Sequence, residues 1–180
     1  PTAATVFIRG LFGDWGTTLP MAWDGEAFYT ANVAATTTGA TQFKIATGDW
    51  ASLNCGGAPS TSPTVTIGEP FALTCGDGTT NLGINFTTAG DYVFSVNASN
   101  QSAPTLTVEP KPVDVFVRGL GGDWSDGAQN MMSYLGSGTY RLDKPVVAGD
   151  AFKIASSDWA TVNCGGTSAN KTVTLGTPFA

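Results

Sequence analysis

Four tryptophans, Trp15, Trp50, Trp124 and Trp159, each stand directly after an aspartate in a short polar turn, and they are the side chains with most to offer a ligand. An indole presents a flat apolar face and one N–H donor. That suits a pyranose, whose C–H face stacks on the ring while its hydroxyls seek partners at the rim. Lys44 and Asn54 bracket Trp50, and Lys153 and Asn163 bracket Trp159, as candidate rim partners. In Phe43-Lys44-Ile45 the two-residue period of a strand puts the apolar pair on the core face and predicts an exposed lysine on the outer face.

The other account of these tryptophans is that they plug a core, since Trp is highly buried on average. For Trp15 and Trp124 the two accounts stand level, because the apolar run before each leaves it room to fold inward. Small polar neighbours on both sides favour a surface role for Trp50 and Trp159. Trp23, with Tyr134 in the matching place, reads as a packing position or a secondary contact. Arg9 and Arg118 lie in strands and are expected to form cross-strand ion pairs.

Catalysis is not expected. The chain has no histidine, which removes the commonest general base and metal ligand. Asp14 with Asp49, and Asp123 with Asp158, are the carboxylate pairs available for glycoside hydrolysis. Each lies in a turn rich in Gly, Ser or Thr, where an Asp side chain caps its own backbone, and capping is the expected role. The Gly-rich stretches lack a phosphate-loop ending, and Gly76-Asp77-Gly78 is too short for a calcium loop. No metal and no cofactor are implied.

The elements that must position these residues come in two copies. VFIRGLFGDW, from Val6 to Trp15, returns as VFVRGLGGDW, from Val115 to Trp124; FKIATGDWASLNCGG, from Phe43 to Gly57, returns as FKIASSDWATVNCGG, from Phe152 to Gly166. A period of 109 residues is domain-sized, well above that of solenoid repeats. In the first copy, short β-rich runs separated by turn residues predict strands over 5–9, 27–33, 42–46, 64–67, 81–86, 92–97 and 105–108. No window sustains a helical period. The expected fold is therefore all-β: two tandem immunoglobulin-like antiparallel β-sandwiches over 1–109 and 113–180, joined by a Pro-rich linker at 110–112. The second copy stops short of the last three strands of the first. It reads as a fragment of a longer protein, or as a unit completed by a strand donated from a neighbour, which would give self-association.

Composition narrows the partners. A net charge of −6 from 8 basic and 14 acidic side chains argues against nucleic acid, which needs clustered Lys and Arg. No stretch approaches the roughly 18 apolar residues of a membrane-spanning helix, so no membrane insertion is expected. An abundance of Thr, Ser, Asn and Gly, few lysines, and the cysteines favour a secreted or cell-surface location. Cys55 and Cys75 are expected to pair, with buried free thiols as the alternative; such a bridge would contribute about 3 kcal/mol on the chain-entropy model. Cys164 matches Cys55, and the alignment puts its partner past the last residue.

The strand, then Gly-Leu-Phe-Gly-Asp-Trp, then a hairpin, then Phe-Lys-Ile-Ala-Thr-Gly-Asp-Trp-Ala-Ser-Leu-Asn resembles the starch-binding sandwich domains of bacterial amylases, pullulanases and outer-surface starch-binding proteins. More loosely it is similar to the family 20 carbohydrate-binding modules. The resemblance implies non-catalytic binding of α-glucan (starch, glycogen or maltooligosaccharide) in a secreted bacterial protein that degrades glycans. It implies one site at Trp15, Lys44, Trp50 and Asn54 and a second at Trp124, Lys153, Trp159 and Asn163. The cysteine after each Asn departs from the family pattern. The rival expectation is a structural or adhesive repeat of an extracellular protein or filament.

Overall fold

The computed structural model describes residues 5 to 165. Pro1 to Ala4, and Gly166 and Phe179 of the repeat, lie outside the described residues. The chain divides into two compact units, Pro1–Lys111 with Leu135–Thr139, and Pro112–Tyr134 with Tyr140–Ala180. Among the described residues every regular element is a strand or a single 3-10 turn, so the protein is all-β with several sheets. No helix there is long and apolar enough to cross a membrane.

The strands of the first unit are β1 (Val6–Arg9), β2 (Ala22–Trp23), β3 (Phe28–Ala35), β4 (Gly39–Thr47), β5 (Asn54–Gly56), β6 (Thr64–Val65), β7 (Phe71–Ala72), β8 (Thr74–Cys75), β9 (Leu82–Phe86), β10 (Gly90–Asn97) and β11 (Thr105–Pro110). In the sheet that carries the site, β4 is the organising strand. Its first half pairs with β9, from Gly39↔Phe86 to Phe43↔Leu82; its second half pairs with β1, from Lys44↔Arg9 to Thr47↔Val6, and with β5 at Ile45↔Cys55. Long Gly39–Thr47 can serve three partners only because it starts earlier than the alternation at 42–46 predicts. β6 joins β9 in parallel, an exception to the expected antiparallel plan. The second sheet runs β2-β3-β10-β11-β7 and is antiparallel throughout.

The two sheets share one buried cluster. Phe43, Ile45 and Ile8 from the first sheet meet Phe94, Val96, Leu106 and Val108 from the second, and Phe43 packs edge-on to Phe94 at 5.4 Å between centroids. Each such side chain removed from water contributes about 1.5 to 3 kcal/mol. Tyr92 stacks against Phe86, and its hydroxyl donates to the Thr88 carbonyl oxygen at 2.8 Å, which fixes the turn into β10. Cys55 and Cys75 are directly opposed in β5 and β8 and form the expected disulfide, with Cys55 in the core.

In the second unit β12 (Val115–Arg118), β15 (Lys153–Ser156) and β16 (Asn163–Cys164) form a three-stranded sheet in that order. β13 (Ser133–Gly136) and β14 (Thr139–Arg141) form a ribbon, of which Leu135–Thr139 groups with the first unit. The registers Arg118↔Lys153 and Ala155↔Asn163 repeat Arg9↔Lys44 and Ala46↔Asn54 of the first unit. The three strands that carry the candidate residues are therefore built identically twice. Cys164 is a free, exposed thiol.

Candidate functional site

The turn after β1 aims one side chain inward and one outward. Leu11 is buried in the core, as is Leu120 in the second copy. The 3-10 turn Leu11–Gly13 closes with hydrogen bonds from Gly13 N to Gly10 O and from Asp14 N to Leu11 O, both 3.0 Å. Trp15 emerges 39% exposed, and its indole lies flat over Gly10. A Cβ on Gly10 would stand 2.7 to 2.8 Å from three ring carbons, and Gly10 has φ +102°. Gly119 seats Trp124 in the same way, 46% exposed. Both tryptophans thus face solvent, and the core account of them falls away.

The second tryptophan of each pair sits on unusual backbone. Trp50 has φ 61° and Trp159 φ 58°, in the left-handed region that costs a non-glycine residue about 1 to 3 kcal/mol. The preceding aspartate holds the turn. Asp49 accepts hydrogen bonds from the backbone N–H groups of Ala51 and Ser52, from the Ser52 hydroxyl, and from the Thr47 hydroxyl. Asp158 accepts the same set from Ala160, Thr161 and Ser156. These are capping carboxylates, as expected. The Ser52 and Thr47 hydroxyls hold Asp49 well below the usual carboxylate range, as those of Ser156 and Thr161 hold Asp158. Asp14 and Asp123 are lowered too, first by hydrogen bonds from Thr18 and from Ser125 respectively.

The sign of the pH effect follows. The folded carboxyls bind protons only in stronger acid than the unfolded chain, which binds them near pH 3.9; their stabilisation is complete above that range and is lost progressively as pH falls below it toward the lowered folded values. The expected result is a melting temperature that is level from pH 7 to about 5 and falls below about 4, followed by tryptophan fluorescence. A level profile down to pH 2 would contradict the capping roles.

Arg9 joins the two turns. Its guanidinium donates to the carbonyl oxygens of Trp15 (2.9 Å from Nε and 2.6 Å from Nη2), Gly16 (3.1 Å), Thr47 (3.1 Å) and Gly48 (3.2 Å). It also lies 3.7 Å below the centre of the Trp50 ring. Arg118 bonds the carbonyls of Trp124, Ser156 and Ser157 and lies 4.0 Å from the Trp159 ring centre. The expected cross-strand ion pair is corrected: the residue opposite Arg9 is Lys44, another cation, and the arginine serves backbone carbonyls and an indole. Sequence reasoning did not find this role. The signal present was the arginine's unchanged place before Gly-Leu in both copies.

Held this way, Trp15 and Trp50 lie 6.2 Å apart between ring centroids at 37°, and Trp124 and Trp159 lie 6.3 Å apart at 32°. None of the four indole N–H groups makes a hydrogen bond among the described residues. Each pair is a tilted, partly exposed aromatic surface with donors at its edges that no described residue engages.

Lys44 is corrected as well. It is on the outer face, as the alternation requires, but only 8% exposed, because the chain between β8 and β9 folds over it. Its three ammonium protons go to Asn54 Oδ1 (3.0 Å), Thr79 O (2.6 Å) and Thr79 Oγ1 (3.0 Å). Burial lowers its pKa from the ordinary lysine value. Lys153 is exposed and donates to Asn163 Oδ1 at 3.1 Å, and no counterpart of Thr79 covers it among the described residues. Asn163 Nδ2 in turn donates to Trp159 O at 3.2 Å, tying that turn to β16. Trp23 is 41% exposed and stacks on Tyr29 at 4.5 Å, away from the Trp15–Trp50 pair on the other sheet. Among the described residues no group of three acidic, Cys or His side chains is placed to hold a metal.

Fold and site together define an all-β protein that presents the same tilted indole pair twice. No family model and no curated protein matches the chain. Among solved structures, one described as the ligand-induced structure of AmyP-SBD is similar at 23% identity, over 62% of this chain and 75% of that chain, with a TM-score of 0.45. A likeness at that level defines neither the fold nor the ligand of this chain.

Proposed function

We propose that the chain comprises two tandem immunoglobulin-like sandwich modules, each a non-catalytic binder of α-glucan. The observation that supports this best is the duplicated indole pair, tilted by 37° and 32°, with its N–H groups unengaged among the described residues. Two tilted platforms suit successive sugars of a chain that turns between residues, whereas a flat β-linked chain calls for coplanar rings. The cation beneath Trp50 matters too. An indole already facing Arg9 is a poor partner for a second cation on its open face, so an aromatic cage for ammonium ligands is disfavoured relative to a neutral sugar.

In this reading Trp15, Trp50, Trp124 and Trp159 stack on the sugars. Asn54, Asn163 and Lys153 offer rim hydrogen bonds, and Lys44 supports Asn54 from beneath. The disulfide and polar composition suit an accessory module of a secreted or surface glycan-degrading protein of a bacterium. Two sites engaging one polysaccharide would raise apparent affinity by roughly 10² to 10⁴ over a single site. Retention on insoluble starch tests it. The parent chain is expected to be retained and the Trp50→Ala/Trp159→Ala double variant to pass through; equal retention overturns the proposal.

A further inference from the structure

Phe12 is an exposed aromatic on backbone that does not suit it. It has φ 54° and ψ 26°, in the left-handed region, and is 48% exposed. The second copy shows what the turn itself requires. Gly121 stands in the matching place at φ 61° and ψ 21°, and the turn around it closes with the same hydrogen bonds, from Gly122 N to Gly119 O and from Asp123 N to Leu120 O. Glycine adopts this conformation without steric penalty. The phenyl ring is therefore unnecessary for the turn and unfavourable for its backbone, yet it is held firmly. Its N–H donates to Thr41 Oγ1 at 2.8 Å, and its ring packs on Phe86 at 5.7 Å and 33°. Strain that the turn itself does not require is a feature of functional positions.

The ring lies three residues before Trp15, in the loop that the Gly10 N to Asp14 O hydrogen bond closes. We propose that Phe12 is a third aromatic platform of the first site, taking a further sugar of the α-glucan bound at Trp15 and Trp50. The second site, with Gly121, has two platforms and reads a shorter stretch of chain. This rests on the α-glucan reading above. The two copies then differ in the ligand length they favour, although their tryptophan pairs are nearly superimposable in geometry.

The test uses the full chain carrying Trp159→Ala, so that the first site is read alone, and titrates maltotriose and maltoheptaose by calorimetry. Phe12→Gly removes the ring and relieves the backbone. Phe12→Leu keeps an apolar cover over Phe86 and the strained backbone, and removes only the stacking face. Both are expected to weaken maltoheptaose binding about fivefold and to change maltotriose binding by less than about twofold. Unchanged maltoheptaose binding in Phe12→Leu, or an equal loss for the two sugars, overturns the third platform. A parallel Trp50→Ala arm separates the two proposals. If Trp50→Ala leaves both sugars bound, the glucan reading itself fails; if it loses both while the Phe12 variants lose neither, only the third platform fails.

Discussion

Replacing Arg9 with alanine is expected to lower the stability of the first unit by about 3 kcal/mol and to abolish ligand binding there. Four carbonyl oxygens, of Trp15, Gly16, Thr47 and Gly48, lose the guanidinium at once, Thr47 O keeping the Trp50 N–H. A buried acceptor left unpaired costs about 1 to 3 kcal/mol, less where water reaches it, and the loss of the cation under Trp50 adds about 1 kcal/mol. The larger consequence is geometric. Those carbonyls belong to two different turns, and among the described residues no other side chain donates to both, which leaves the contact of the two indoles between them. Arg9→Lys is expected to behave much like alanine, because an ammonium has three donors at one point and cannot bridge carbonyls spread along a planar fork. Urea unfolding followed by fluorescence, with calorimetry for binding, checks both. A lysine variant at parental stability and affinity would show that charge alone suffices. Arg118→Ala is expected to act in the same direction in the second unit, through three carbonyls.

Gly10→Ala is expected to remove binding with a smaller loss of stability, about 2 kcal/mol. Two effects combine: a side chain at φ +102°, and a Cβ 2.7 Å from the Trp15 ring, which has to lift from its seat. Gly13→Ala separates them. Gly13 has φ +85° but nothing within 4 Å of its Cβ, so alanine there adds backbone strain in the same turn and leaves the indole alone. The expected pattern is reduced stability in both variants and lost binding only in Gly10→Ala. Equal loss of binding would mean that the turn's backbone, rather than the seat beneath Trp15, sets the site.

Much of this arrangement was legible from the repeat, and the reasons are specific. Side chains kept at one offset, such as Arg9 with Arg118 and Lys44 with Lys153, share a register on paired strands because β1, β4 and β5 recur as β12, β15 and β16. The alternation in Phe43-Lys44-Ile45 gave the faces correctly but not the depth. Lys44 is covered by Thr79, which is distant in sequence and joins it only through the β8–β9 connection. Strands of two residues, such as Phe71–Ala72 and Thr74–Cys75, carry no alternation to read and are defined by their partners. The left-handed backbone at Trp50 was also hidden, because bulky residues are rarely placed there and Asp49 alone does not announce it.

Two indoles 6.2 Å apart and skewed by 37° are coupled optically as well as sterically. Excitation of one ring is shared with the other, and such skewed coupling gives rise to an exciton couplet in circular dichroism. The molecule carries the arrangement twice at nearly the same spacing and tilt, so both pairs contribute. The tryptophan part of that signal is expected to report the spacing of the pairs without label or ligand, above the contribution of Trp23 on Tyr29, and to fall when one pair is dismantled.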